Sequence, residues 1–183
     1  MHPEQQIFCL EVKMKFPPWP LRSPFHQAKV LDCGSLDING NNRFLFSECD
    51  YIGIDVVFGP NVTCKFPIHK YSGNDEAYDT IICTETLEHD MYWQESLRAM
   101  YRMLKPGGLL IITCATLERP EHGTPLYDPD ASGTSQIPEM ADYYRNLNET
   151  DFRSVWDMEK LFKDFEFQTG RDNQDLYFWG IKV

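Results

Sequence analysis

The residues best suited to chemistry are an acid and a glycine at 32 and 34, a second acid at 55, and histidines at 89 and 122. The segment Asp32-Cys33-Gly34-Ser35-Leu36-Asp37-Ile38-Asn39-Gly40 follows a short apolar run. A glycine at such a turn lets backbone approach a ligand that a side chain would block, and the amides after it can donate to the ligand's polar groups. A glycine after a strand is also common where nothing binds. Asp55 stands 23 residues beyond Asp32. An acid there in nucleotide-binding α/β folds accepts hydrogen bonds from both ribose hydroxyls, and a carboxylate suits the task because it offers two acceptor oxygens. The plainer reading of Asp55 is a solvated acid at a strand end. His89 and His122 are candidate catalytic bases, since a histidine titrates near neutral pH. The plainer roles are an orienting hydrogen bond or helix-start contact for His89 and loop ordering for His122. Glu88, His89 and Asp90 are consecutive, and neighbours along a chain point in different directions, so no metal is expected. Tyr143, Tyr144 and Arg145 can contact an anionic or sugar-like substrate; alternatively the tyrosines pack and Arg145 pairs with an acid.

These residues need a frame to hold them. Residues 28–32 (AKVLD), 51–57 (YIGIDVV), 78–84 (YDTIICT) and 109–115 (LLIITCA) are apolar runs that read as buried parallel strands. Between the last two, residues 92–104 carry Trp93, Leu97, Met100, Tyr101 and Leu104 at helical spacing, and Lys105-Pro106-Gly107-Gly108 stops that helix. Residues 5–15 favour a short amphipathic helix, although Leu10, Val12 and Met14 also suit a strand. FPPWP at 16–20 breaks it. Residues 116–148 are rich in Pro, Gly, Asp and Ser, and a loop of that length reads as a lid or binding loop. Asn148 or Thr150 can cap a helix running to about 162, which also accounts for the glycosylation sequon Asn148-Glu149-Thr150. Two strands at 165–168 and 176–183 close the chain. The expected architecture is α/β: a Rossmann-like, mostly parallel sheet with an antiparallel C-terminal edge and helices on both faces. One domain spans 1–183, with 1–27 a helix and linker.

Bulk properties narrow the function. A chain of 183 residues suits one α/β domain. Its net charge of −11 argues against a broad phosphate-binding face, so a small-molecule or sugar-like partner is expected rather than nucleic acid. The six cysteines are scattered, and no pair has C-x-x-C spacing. The mixed, charged start is unlike a signal peptide, and no apolar run approaches the roughly 20 residues of a membrane span. A cytoplasmic location without membrane attachment is the expectation.

The order of a glycine turn, a ribose acid, D-x-I-I-x-x-x-x-L-E-H (79–89) and L-K-P-G-G (104–108) before a strand resembles class I methyltransferases that use S-adenosyl-L-methionine (SAM). In particular it resembles small methyltransferase-domain proteins whose first loop reads G-S-x-D-x-N-G. That likeness continues through RPEHGT (119–124), YYRNL (143–147) and DLYFWGIK (175–182), and so covers nearly the whole chain. It implies a SAM-dependent methyltransferase that modifies an O or N of a small-molecule or sugar-like acceptor. It implies that Asp32 and Gly34, with Ser35 and Asp37 of the same loop, hold the methionine moiety. Asp55 and its neighbour Val56 take the ribose, and Thr84 and Glu85 lie beside the methionine and the reactive methyl. Tyr143, Tyr144, Arg145 and His122 fall on the acceptor side, with His89 or His122 as base.

Two departures qualify the likeness. Leu36 and Ile38 stand where further glycines often fall, which disfavours a pyrophosphate more than it disfavours SAM. Residues 62–66 (VTCKF) lack the acid that often meets adenine, so that contact falls to backbone or to Thr63. A nicotinamide dehydrogenase is the rival enzyme, through Tyr101-x-x-x-Lys105, but Lys105 sits where the helix ends and the first loop lacks the expected glycines. A non-catalytic domain that binds SAM or a partner is the rival outside enzymes.

Overall fold

The structure, a computed structural model, describes residues 3–16, 23–170 and 173–183. Seven strands make the sheet: β1 Lys29–Cys33, β2 Asp50–Asp55, β3 Cys64–Lys65, β4 Tyr78–Thr84, β5 Leu104–Ala115, β6 Phe162–Gly170 and β7 Asp175–Lys182. Their spatial order is β3-β2-β1-β4-β5-β7-β6. β3, β2, β1, β4 and β5 run parallel, while β7 is antiparallel to β5 and to β6. The order reverses at β1 and β4, and a doubly wound sheet opens a crevice beyond the carboxyl ends of the strands flanking such a switch point. Asp32, Asp55 and Thr84 lie at or next to those ends.

Each face of the sheet is covered by different helices. Helix α2 (Trp93–Met103) and helix α3 (Glu149–Val155) lie on one face, where Leu97, Met100 and Phe152 pack with Leu31, Ile81, Cys83, Leu110, Ile112 and Phe178. On the other, helix α1 (Pro3–Met14) buries Phe8, Cys9 and Val12 against a cluster containing Val30, Ile82, Ile111 and Trp179. The spacing of Phe8, Cys9 and Val12 is helical, and Leu10 and Met14 face outward, which decides residues 3–14 in favour of the helix. A fully buried Leu, Ile or Phe contributes about 1.5–3 kcal/mol, so both faces are strongly anchored. No α-helix links β1 to β2. A short 3₁₀ turn, Arg43–Leu45, bridges them and contributes the fully buried Leu45 to the α1 face.

Several boundaries differ from the sequence reading. Lys105–Gly108 continues β5 rather than forming a turn, with a register shift opposite Tyr78 and Gly107 at φ +74. The C-terminus of α2 is closed instead by the Lys182 ammonium, which donates to the carbonyls of Tyr101 and Leu104 at 3.0 and 2.8 Å. The helix expected to reach 162 stops at Val155, and a single turn, α4 (Met158–Leu161), follows. Asn148 does cap α3, in a capping box with Asp151. Most of the Pro-rich break at 16–20 lies outside the described residues. All six cysteines are free. No helix among the described residues is long and apolar enough to cross a membrane.

Candidate functional site

A cleft enclosing about 890 Å³, its open mouth included, lies beyond the carboxyl ends of β1, β2 and β4. Asp32, Gly34, Ser35, Asp55, Val56, Thr84, Glu85 and His89 line it. Ser132, Gly133 and Met140 close it from the long loop, and Phe66, Pro67 and Ile68 wall the side beyond Val56.

The glycine loop is wired to the end of β2. Gly34 and Ser35 donate their amides to the Ile54 carbonyl at 2.9 and 3.0 Å, Asp37 donates to Pro60 at 3.1 Å, and Ile38 donates to Leu36 at 3.1 Å. The Leu36 amide donates to Asp55 Oδ2 at 3.1 Å, and the Val57 amide donates to Asp55 Oδ1 at 3.1 Å. The expectation that amides after Gly34 serve a ligand is therefore corrected, because neighbouring backbone carbonyls and the Asp55 carboxylate already occupy those of residues 34–38. Asp55 has a further lone pair on each oxygen for donors in the cleft. Burial raises its pKa and the backbone donors oppose that rise.

The glycine at 34 also has a different reason from the one expected. Its φ is +75, and a Cβ there would run into the Thr86 side chain at the end of β4. The loop and β4 meet so closely that only glycine fits.

What the loop turns toward the cleft is acceptor atoms. Asp32 is buried, and its Oδ2 accepts from Tyr51 Oη at 2.6 Å and Asn61 Nδ2 at 3.2 Å. Its Oδ1 has no hydrogen-bond partner among the described residues, and neither has Asn42 Oδ1. Asn42 Nδ2 donates to Thr84 Oγ1 at 2.9 Å, which ties this cluster to β4. Burial pushes the Asp32 carboxyl up to about 6. Buried acceptors without partners are rare in folded proteins and mark places where a donor belongs.

Glu85 follows at the end of β4 with φ +52, a left-handed conformation uncommon outside glycine. Its amide donates to the Thr113 carbonyl and its Oε1 accepts from Thr113 Oγ1, both at 2.8 Å, so β5 holds it in place. Asp90 also lines the cleft, and its carboxylate holds the start of α2, accepting from Tyr92 N at 2.8 Å and Ser96 Oγ at 2.5 Å.

Beyond Glu85 the character of the site changes. His89, His122 and Tyr144 form an aromatic triangle with ring centroids 5.0, 5.1 and 5.5 Å apart. His89 lines the cleft, whereas His122, on the long loop, does not. Burial, with smaller contributions from His122 and Arg119, lowers the His89 pKa to about 3. A ring that weakly basic is a poor proton acceptor and a good neutral hydrogen-bonding or ligating group. Burial lowers the His122 pKa as well. Glu88 lies under this triangle, 0% exposed, with its pKa raised chiefly by burial and next by the Glu85 charge. The expectation that consecutive side chains diverge fits Asp90 but not Glu88 and His89. Their ligand atoms and one of His122 lie within 4.8 Å of one another, because a 3₁₀ turn at Leu87–His89 brings both inward.

Other expected site residues lie elsewhere. The Thr63 hydroxyl accepts from Gly53 N at 3.1 Å and does not line the cleft. Asp37 spends its oxygens on Gly40 N and Asn41 Nδ2 within its own turn. Arg145 pairs with Asp151 at 2.6 Å and stacks over Trp93, while Tyr144 Oη donates to the Pro120 carbonyl at 3.2 Å. Tyr143 packs against the core under α2 and α3. Tyr101 and Lys105 do not form a dyad. Tyr101 Oη donates to Leu161 O at 3.2 Å, and Lys105 pairs with Asp79 at 2.7 Å. Sequence reasoning missed Asn42 and Asn61, the hinges of the donor-side cluster. Nothing in their spacing announces them, since each acts across a fold contact.

Residues 49–112 match the family model of a methyltransferase domain, a span running from β2 into β5 that contains Asp55, the L-E-H turn and L-K-P-G-G. No curated protein sequence matches the chain. Solved structures share the fold over 98% of this chain. One is the Burkholderia thailandensis 1,6-didemethyltoxoflavin-N1-methyltransferase with its substrate and S-adenosylhomocysteine (13% identity, 77% of that chain, TM-score 0.62). Another is the N-methyltransferase NodS from Bradyrhizobium japonicum with S-adenosylhomocysteine (16% identity, 86% of that chain, TM-score 0.61). A third is a putative methyltransferase from Bacillus halodurans (11% identity, 99% of that chain, TM-score 0.63). The chain thus has the fold of these methyltransferases, and a methyltransferase-domain model matches its central part, residues 49–112.

Proposed function

We propose that the cleft binds SAM and that the enzyme passes its methyl group to an O or N of a small-molecule or sugar-like acceptor entering beneath the 116–148 loop. The observation that carries this reading is the polarity of the cleft. The amides of residues 34–38 are internally bonded, while Asp32 Oδ1 and Asn42 Oδ1 are buried acceptors without partners. A pyrophosphate needs donors from this loop and would meet acceptors instead. The ammonium of a methionine moiety needs acceptors, and an uncompensated buried acceptor costs about 1–3 kcal/mol until one is supplied.

On this reading Asp32 and Asn42 hold the ammonium, Asp55 accepts from the ribose hydroxyls, and Val56, Phe66, Pro67 and Ile68 flank the adenine. Thr84 and Glu85 position the methionine chain. SAM supplies an electrophilic methyl on a sulfonium; the protein's part is alignment and exclusion of water. N-methyltransferases among the solved relatives agree with an N acceptor without selecting it over O.

The test is release of S-adenosylhomocysteine from SAM in the presence of a panel of small hydroxyl and amino acceptors. Release that depends on the acceptor supports the reading. Tight binding of SAM with no release from any acceptor would favour a non-catalytic binding domain.

A further inference from the structure

We infer that Glu88, His89 and His122 constitute a site for a divalent transition-metal ion of the zinc type, at the acceptor end of the cleft. Three independent features converge on it. One ligand atom from each residue falls within a sphere where all three are no more than 4.8 Å apart. Two imidazoles and a carboxylate form a donor set suited to zinc, iron or nickel rather than to magnesium or calcium.

The second feature is that no side chain among the described residues satisfies the inner ligand atoms; the Glu88 and Ala115 backbone amides oppose the rise in the Glu88 pKa. Glu88 is 0% exposed, and neither of its carboxylate oxygens has a hydrogen-bond partner among the described residues. His89 is 3% exposed, and its Nδ1 also lacks one. The nearby cation that would otherwise serve Glu88, Arg119, is committed to Asp175 at 2.9 Å. An ionised carboxylate buried without compensation is strongly unfavourable, and a dication removes that penalty.

The third feature is how His122 is held. Its Nδ1 lies 3.1 Å from the Pro120 carbonyl oxygen. A carbonyl only accepts, so Nδ1 carries the proton and Nε2 presents its lone pair. A backbone carbonyl fixing the tautomer from behind is the usual outer support of a metal-binding histidine. The next residue, Gly123, has φ +66, and a Cβ there would sit 2.7 Å from His89 Cε1 and 3.2 Å from its Nδ1. Glycine is what allows the loop to bring His122 against that edge of His89.

Ligands about 2.1 Å from one ion stand roughly 3–3.5 Å apart in a tetrahedral site, so binding draws the cluster inward by a modest adjustment of His122 on its loop. Three protein ligands leave a coordination position open, as catalytic zinc sites do. His89 lines the cleft, so that position faces the acceptor side. An ion there would draw charge from an acceptor hydroxyl and ease loss of its proton. This last consequence rests on the methyltransferase reading; the metal site itself does not.

The test is titration of the chelator-treated full chain with Co²⁺ alone, followed by visible absorption, then displacement by Zn²⁺. The expected result is one tightly bound ion with the intense absorption of a four- or five-coordinate site. His122→Ala should weaken Co²⁺ binding about 100-fold or more, and Glu88→Gln should do the same. Each protein is also titrated with S-adenosylhomocysteine, which reports the donor side separately. Loss of the cobalt signal in His122→Ala with unchanged S-adenosylhomocysteine binding supports the proposal. Weak, six-coordinate cobalt absorption in the native chain, or a spectrum that His122→Ala leaves unchanged, would overturn it. Failure of S-adenosylhomocysteine binding with an intact cobalt site would instead count against the donor reading alone.

Discussion

The two ends of the cleft are built on opposite plans. At the β1–β2 end, backbone amides and acids satisfy one another, and among the described residues the buried acceptors Asp32 Oδ1 and Asn42 Oδ1 are left without partners. At the Glu88–His89–His122 end, two buried ligating groups lack hydrogen-bond partners among the described residues, and a half-buried third arrives from a loop. The first plan suits a ligand whose shape and charge never vary, because a site fixed by its own hydrogen bonds is preorganised. The second suits a partner that changes between turnovers. His122, from the 116–148 loop, completes that end, and loops of this kind are where enzymes gate access and adapt to different acceptors.

Substitutions at the two ends should therefore separate. The largest effect is expected from Gly34→Val, which forces a branched side chain into Thr86 at a positive φ. It should destabilise the fold by about 3 kcal/mol, or roughly 6–12 °C in Tm for a chain of this size. Thermal unfolding checks this, and an unchanged Tm would mean that loop and β4 are not in contact. Asp55→Ala comes next. Loss of a charged acceptor for two hydroxyls should weaken S-adenosylhomocysteine binding about 100-fold by calorimetry. Unchanged affinity in a folded variant would remove Asp55 from the donor site. His122→Ala should lower turnover about tenfold or more while affinity for S-adenosylhomocysteine stays nearly constant. Equal loss in both would erase the distinction between the ends.

The smallest effect is a pH dependence. His89 stays neutral in the folded chain down to about 3, against an ordinary value of 6.5. Its contribution to stability is fully present above pH 6.5 and is lost as pH falls from there toward 3. The loss is about 1.4 kcal/mol per pH unit at most. Asp32, whose pKa rises to about 6, works in the opposite sense: its stability is present below the ordinary 3.8 and lost as pH rises toward 6. Comparing denaturant unfolding of His89→Asn with the native chain cancels the Asp32 part. The native-minus-variant difference should shrink between pH 6.5 and 5.5, and a flat difference would place His89 in solvent.

Periodicity and apolar runs sufficed for the frame. Residues 78–84 are a strand with the expected bounds because the buried run Ile81-Ile82-Cys83, flanked by Tyr78, leaves a clear apolar record. The acid at 55 was readable from its place at a strand end, and the L-E-H segment through its resemblance to methyltransferases. What escaped the sequence was pairing across the fold. Nothing in the local sequence says that the amides of residues 34–38 are already used, that Asn61 braces Asp32, or that His122 meets His89 from a distant loop. Lys105–Gly108 misled because Pro and Gly announce a break, yet a register shift absorbs them within β5. The expected roles of Thr63 and Asp37 were carried by resemblance alone, and their side chains turn to local backbone.

The most direct test of the account is calorimetric titration of the full chain with SAM, S-adenosylhomocysteine and NAD. The polarity of the cleft predicts saturable one-to-one binding of the first two and none of NAD. Binding of NAD, with no response to SAM or S-adenosylhomocysteine, would contradict it.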